Sequence, residues 1–122
     1  MLVSQDTQGG QNLIQAYEPG KIKIANVIYQ ENIIIDNHTI FKNKLPNHFS
    51  EITLEHLQFV IDHKPQVLLI GCGKSPLFLP EEYATKIMRK PIGLEVMTSQ
   101  AACRTFNVLL SENRKVSLVL FI

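Results

Sequence analysis

The residues of this chain best suited to chemistry lie in two short stretches, Gly71-Cys72-Gly73-Lys74-Ser75-Pro76 and Met97-Thr98-Ser99. Each follows an apolar run that reads as a strand. In open α/β sheets, ligands settle beyond the carboxyl ends of strands, where backbone N–H groups are free. A lysine (Lys74) and the hydroxyls of Ser75, Thr98 and Ser99 at such ends would suit a carboxylate or a phosphate. The Gly-Lys-Ser sequence does not complete a nucleotide-binding phosphate loop. Leu68 stands where the first glycine is required, and Pro76-Leu77-Phe78-Leu79 follows where a helix should begin. The structural reading of Gly71 and Gly73 is that they let the chain turn tightly.

Further polar candidates sit downstream. Gln100, Arg104, Asn107 and Ser111 are spaced by four, three and four, which is one stripe of a helix. An arginine beside an amide could grip an anionic ligand or a partner's carboxylate; the alternative is a solvated helix face. Glu95 falls within an apolar strand pattern, and a buried carboxylate needs a partner, which Arg104 or Lys74 could supply. A structural ion pair is the expected role, ahead of a general acid or base. Cys72 and Cys103 have no base at triad-like spacing and read as buried small hydrophobes. His56 and His63 are seven residues apart, and His38 and His48 lack acidic or cysteine neighbours at ligand spacing. The expected sets of catalytic residues, metal ligands and cofactors are therefore empty.

The elements that must position these groups follow from composition and periodicity. A length of 122 residues with 45% apolar and 19% charged residues describes one globular domain with a real core. A net charge of +1 offers no broad field for nucleic acid or an anionic membrane. Two cysteines make no disulfide framework of the secreted kind, and no apolar run reaches the ~18–20 residues of a membrane span. With no signal or transit pattern at the polar N-terminus, the expected compartment is the cytoplasm.

Residues 1–12 read as a flexible leader and 13–122 as a single α/β domain. After the leader, Leu13–Tyr17, Lys21–Ile24, Val27–Tyr29, Ile33–Ile35 and Thr39–Phe41 form strand-length runs separated by turn residues, which predicts an antiparallel meander. The second part alternates. Thr53 caps a helix to about His63; Gln66–Ile70 is a buried strand; Pro80-Glu81-Glu82 opens a helix to about Lys90. Ile92–Met97 is a second buried strand, Thr98 caps a helix to about Asn113, and Val116–Phe121 is the last strand. The result is a three-layer α/β fold: a mixed sheet with an N-terminal antiparallel hairpin part and a C-terminal β-α-β-α-β part.

Several of these segments resemble one family. Leu68-Leu69-Ile70-Gly71-Cys72-Gly73, Phe78-x-Pro80, Gly93-Leu94-Glu95-Val96-Met97-Thr98 and Ala101-Ala102-Cys103-Arg104-Thr105-Phe106-Asn107-Val108-Leu109 are similar to the small α/β domains that include mitochondrial complex I assembly factor 3 and the adipogenesis-associated protein of the same domain type. The hairpin Ile24–Tyr29 fits as well, so the resemblance runs from about Ile14 to Phe121; tyrosine is usual in the family where Phe106 stands. The resemblance implies a three-layer mixed-sheet fold and no established catalysis. It also implies an assembly role by analogy, and the missing targeting extension points to a bacterial source.

The expected function is thus a non-catalytic binding or assembly-factor-like domain. Its working surface would draw on Gly71, Gly73, Lys74, Ser75, Glu95, Thr98, Ser99, Arg104 and Asn107. The alternative is a domain that binds, or acts on, a small anionic ligand in a cleft at the same rim. A protein partner is expected and nucleic acid is not. A homodimer is open if Leu118, Leu120 and Ile122 lie on an edge strand.

Overall fold

A computed structural model describes residues 10–122 of the chain. Most of the expected leader lies outside the described residues. Its end does not hang free, because the Asn12 backbone N–H donates to the Asn37 carbonyl at 2.7 Å and its side chain to the Asp36 carbonyl at 3.0 Å.

Among the described residues, eight strands and three α-helices follow. Strands β1 (Ile14–Glu18), β2 (Lys21–Ile24) and β3 (Val27–Tyr29) form a three-stranded antiparallel sheet in chain order. The β2–β3 turn consists of Ala25 and Asn26, both with positive φ, at 51° and 64°. Two such residues match the right-handed twist of a hairpin. Gln15 braces the turn, accepting from the Asn26 N–H at 2.7 Å.

The expected meander breaks after Tyr29. Strands β4 (Ile33–Ile35) and β5 (Ile40–Phe41) leave the small sheet and join a second one. The cause is visible in composition: all three isoleucines of β4 are buried, so that strand needs cover on both faces. The second sheet also holds β6 (Val67–Gly71), β7 (Gly93–Met97) and β8 (Val116–Leu120), in the order β5-β4-β8-β6-β7. Strand β6 runs parallel to β7 and β8, while β4 runs antiparallel to β8 and to β5. Strand β8 therefore occupies the centre of the sheet. This corrects the homodimer expectation for Leu118 and Leu120, which are fully buried and have no free edge to offer.

Helices α1 (Leu54–Ile61), α2 (Glu81–Met88) and α3 (Ser99–Ser111) start where capping chemistry directs. Thr53 and Thr98 each accept a backbone N–H from the first turn, and Glu81 and Glu82 lie at the positive end of α2. Ile33, Ile35, Leu69, Leu118 and Leu120 on one sheet face pack with Phe106 and Ala102 of α3 and with Ile22 and Ile24 of the small sheet. Ile34, Leu68, Ile70 and Val119 on the other face pack with Leu57 and Val60 of α1 and Ile87 of α2. Three layers result.

Phe106 is fully buried, whereas Val108 on the same helix is 55% exposed. Phe106→Ala should lower the unfolding free energy by about 3–5 kcal/mol through lost transfer and a cavity. Val108→Ala should change it by about 0.5 kcal/mol or less, both read from urea midpoints at constant slope.

Candidate functional site

The rim beyond β6, β7 and β8 is organised by one buried hydroxyl. Strand β6 ends at Gly71, directly opposite Met97 at the end of β7. From there the Cys72 N–H donates to the Met97 carbonyl and the Ser99 N–H to the Gly73 carbonyl, both at 2.9 Å. The Ser99 hydroxyl, with no solvent exposure, donates to the Phe121 carbonyl and accepts from the Gly73 N–H at 2.9 Å. The ends of three strands are thereby tied at one atom.

Glycine at 71 follows from this closeness. A Cβ there would sit 2.9 Å from Leu120 Cδ1 and 3.0 Å from both Cα and Oγ of Ser99. Gly73 has a different reason, a φ of +104° with open space around it. The tight-turn reading thus fits Gly73, while Gly71 is there for close packing.

The sequence-derived candidates separate on this frame. Lys74 and Ser75 are exposed in the loop after β6. Gly73, Lys74 and Thr98 line a hollow of about 310 Å³ together with Tyr17, Glu18 and Gln100. Glu95, Ser99, Arg104 and Asn107 are not among its lining residues. Ser99 is spent on the strand ends. Asn107 holds β1, accepting from the Ile14 N–H at 2.9 Å and donating to the Ile14 carbonyl at 2.8 Å. Ser111 donates to the Val108 carbonyl of its own helix at 2.6 Å. Arg104 stays exposed, as do Gln100 and Ser111 of the same α3 stripe.

Glu95 is a correction. Among the described residues β7 is an edge strand, and Glu95 is exposed there instead of buried, so it needs no ion-pair partner.

The two thiols are free and buried. Burial pushes Cys103 up to about 12, against a smaller lowering effect from the Arg104 charge. A thiol so protonated is a poor nucleophile at neutral pH. Cys72 donates to the Ser75 carbonyl at 3.4 Å. Burial also raises the Tyr17 phenol, an effect that the Ser99 hydroxyl partly offsets. Among the described residues no group of three or more His, Cys, Asp or Glu is placed to hold a metal ion.

Gly73 also borders a larger hollow, of about 560 Å³, whose polar lining belongs to no sequence motif. Gln30, Glu31, Asn43, Asn47 and His48 line it, with Phe121 and Cys72 toward the core. Asn32 holds its walls together. Its amide donates to the carbonyls of Pro46 at 2.9 Å and Asn47 at 3.1 Å, and its Oδ1 accepts from the Ile122 N–H at 2.9 Å. The sequence signal was the asparagine-rich run 43–47, in which Asn43 takes a φ of 58°.

Ser99→Ala orphans the Gly73 N–H and the Phe121 carbonyl and should cost about 1–3 kcal/mol, measured by denaturant unfolding. Gly71→Ala should cost a similar amount through overpacking. The raised Cys103 value also sets a pH dependence. The folded chain holds the thiol proton more tightly than the unfolded chain, whose value is near 9.0. Its contribution to stability is whole below that pH and is lost as pH rises toward about 12. Between pH 9 and 12 the wild type should therefore lose more stability than Cys103→Ala, compared by urea midpoints across that range.

Known proteins place the fold in context. A Francisella tularensis protein named "13 kDa major membrane protein" is 35% identical over 69 residues, which is 57% of this chain and 56% of that protein's length. The crystal structure of a Bordetella parapertussis protein superposes with a TM-score of 0.83 at 29% identity, covering 91% of this chain and 95% of that one. The crystal structure of a Bartonella henselae protein, described as an outer membrane protein, gives 0.75 at 35% identity, covering 92% and 95%. The model of the family described as "Protein of unknown function (DUF498/DUF598)" matches residues 14–121, and the chain belongs to that family.

Proposed function

We propose that the chain is a non-catalytic binding domain of the assembly-factor kind, and that its working surface is the loop between β6 and α2 beside the start of α3. The observation that carries this reading is Phe78, which is 95% exposed, with Leu77 next to it at 46%. A phenylalanine left in water forgoes roughly 1.5–3 kcal/mol of burial, which contact with a partner would recover. The root of the loop is held by the Ser99 hydroxyl and the strand ends, so the apolar tip stands on a rigid base. Exposed Lys74 precedes this apolar pair in the sequence and exposed Glu81 and Glu82 follow it, charges that would suit the polar rim of an interface. Two potential nucleophiles nearby are engaged elsewhere, Ser99 in backbone hydrogen bonds and Cys103 as a buried thiol.

The resemblance to complex I assembly factor 3 makes assembly of a membrane-bound respiratory complex the specific role to test, with the chain on the cytoplasmic side. No helix among the described residues is long and apolar enough to cross a membrane. The Francisella relative is named a membrane protein, which is compatible with retention at a membrane through a partner.

A photo-crosslinking residue at position 78 in the native cell tests the reading. One protein adduct should form at position 78, be lost on Leu77→Ser, and be absent when the probe replaces exposed Glu55 on α1. Equal labelling from positions 78 and 55, or none from 78, would remove this surface as the binding face.

A further inference from the structure

We infer that the larger hollow, lined by Gln30, Glu31, Asn43, Asn47 and His48, is a binding site for a small polar amine. The inference is independent of the loop at Phe78. The hollow lies beyond the carboxyl ends of β6 and β8, since Cys72, Gly73, Phe121 and Ile122 border it and the residues entering antiparallel β4 close it. That is the place where α/β sheets accept ligands. Its volume of about 560 Å³ fits a small molecule, for which sites run to roughly 300–1,000 Å³.

The walls are preformed. Asn32 joins the entry to β4, the 46–47 loop and the segment after β8 through three hydrogen bonds, two of them spanning 14 and 90 positions of sequence. His48 is further fixed from its backbone, whose N–H donates to the Glu51 carboxylate at 3.2 Å. A site held in this way loses little entropy when a ligand enters.

The chemistry of the lining selects the ligand. Gln30, Asn43 and Asn47 are exposed carboxamides, each offering two donors and an acceptor, which suits hydroxyl or amide groups. Glu31 is the only side-chain carboxylate among the described lining residues, and none of them is a lysine or arginine. A phosphate or carboxylate would meet that acid without a permanent positive charge to offset it. An ammonium group would be drawn to Glu31 while its neighbouring hydroxyls meet the carboxamides. An amino sugar has this combination.

Glucosamine, with glucose and inorganic phosphate as comparators, tests the assignment in amide-resolved NMR titrations of the ¹⁵N-labelled chain. Glucosamine should give saturable shifts in the side-chain amides of Gln30, Asn43 and Asn47 and in the backbone of 30–32 and 43–48. Glucose should bind at least tenfold more weakly, phosphate should leave these signals in place, and Glu31→Gln should weaken glucosamine at least tenfold. Exposed Glu55→Gln on α1 should bind as the wild type does, and a dispersed spectrum of Glu31→Gln shows that it is folded. Shifts that fail to saturate by about 10 mM, ten times a millimolar dissociation constant, would overturn the site. Equal binding of glucose, an unaffected Glu31→Gln, or saturable phosphate shifts at these residues would overturn the amine assignment.

Discussion

The architecture of the rim beyond β6 and β8 depends on the Ser99 hydroxyl. It accepts from Gly73 and donates to Phe121, so one oxygen bridges the segments leaving β6 and β8 while its own backbone N–H binds Gly73 in return. The residue is fully buried, and in a low-dielectric interior such a closed set of hydrogen bonds is favourable only if every member is satisfied. The geometry demands glycine at 71, because any Cβ would collide with Ser99 and Leu120. Gly73, which this junction binds, lines both hollows and leads into the Phe78 loop.

The rim thereby divides in two. On one side, a rigidly rooted loop raises an apolar tip with charges around it, which is the geometry of contact with a large partner. On the other, Asn32 encloses a concave space walled by amides and one acid. Gly73 is common to both hollows, and its φ of +104° lets the chain pass between them without a side chain on either side.

Much of the fold was legible because its signals are local. Thr53 and Thr98 as caps, Pro65 after α1, the apolar run 67–70 and the Ala25-Asn26 turn each act within a few residues of themselves. What escaped was set by strand order. Glu95 looked buried because β7 reads as an apolar strand, yet β7 is the sheet's edge. Leu118 and Leu120 looked free to pair across a dimer, yet β8 is central. Lys74 and Thr98 do share a hollow, as their positions after β6 and β7 implied, whereas Ser99 and Asn107 are bound to backbone groups far along the chain. Periodicity cannot reveal such partners, because hydrogen bonds between Asn107 and Ile14 span 93 positions.

The central place of β8 bears on how the chain is made. Strand β8 lies between β4 and β6, although it is made after every other described strand of the sheet. Until it emerges, Ile33–Ile35 and Val67–Ile70 have no shared neighbour, and each has one strand edge unpaired. Closure of the sheet then depends on contacts of high sequence separation, which form slowly. Vectorial synthesis therefore leaves β4 and β6 unjoined until the strand that lies between them has been made.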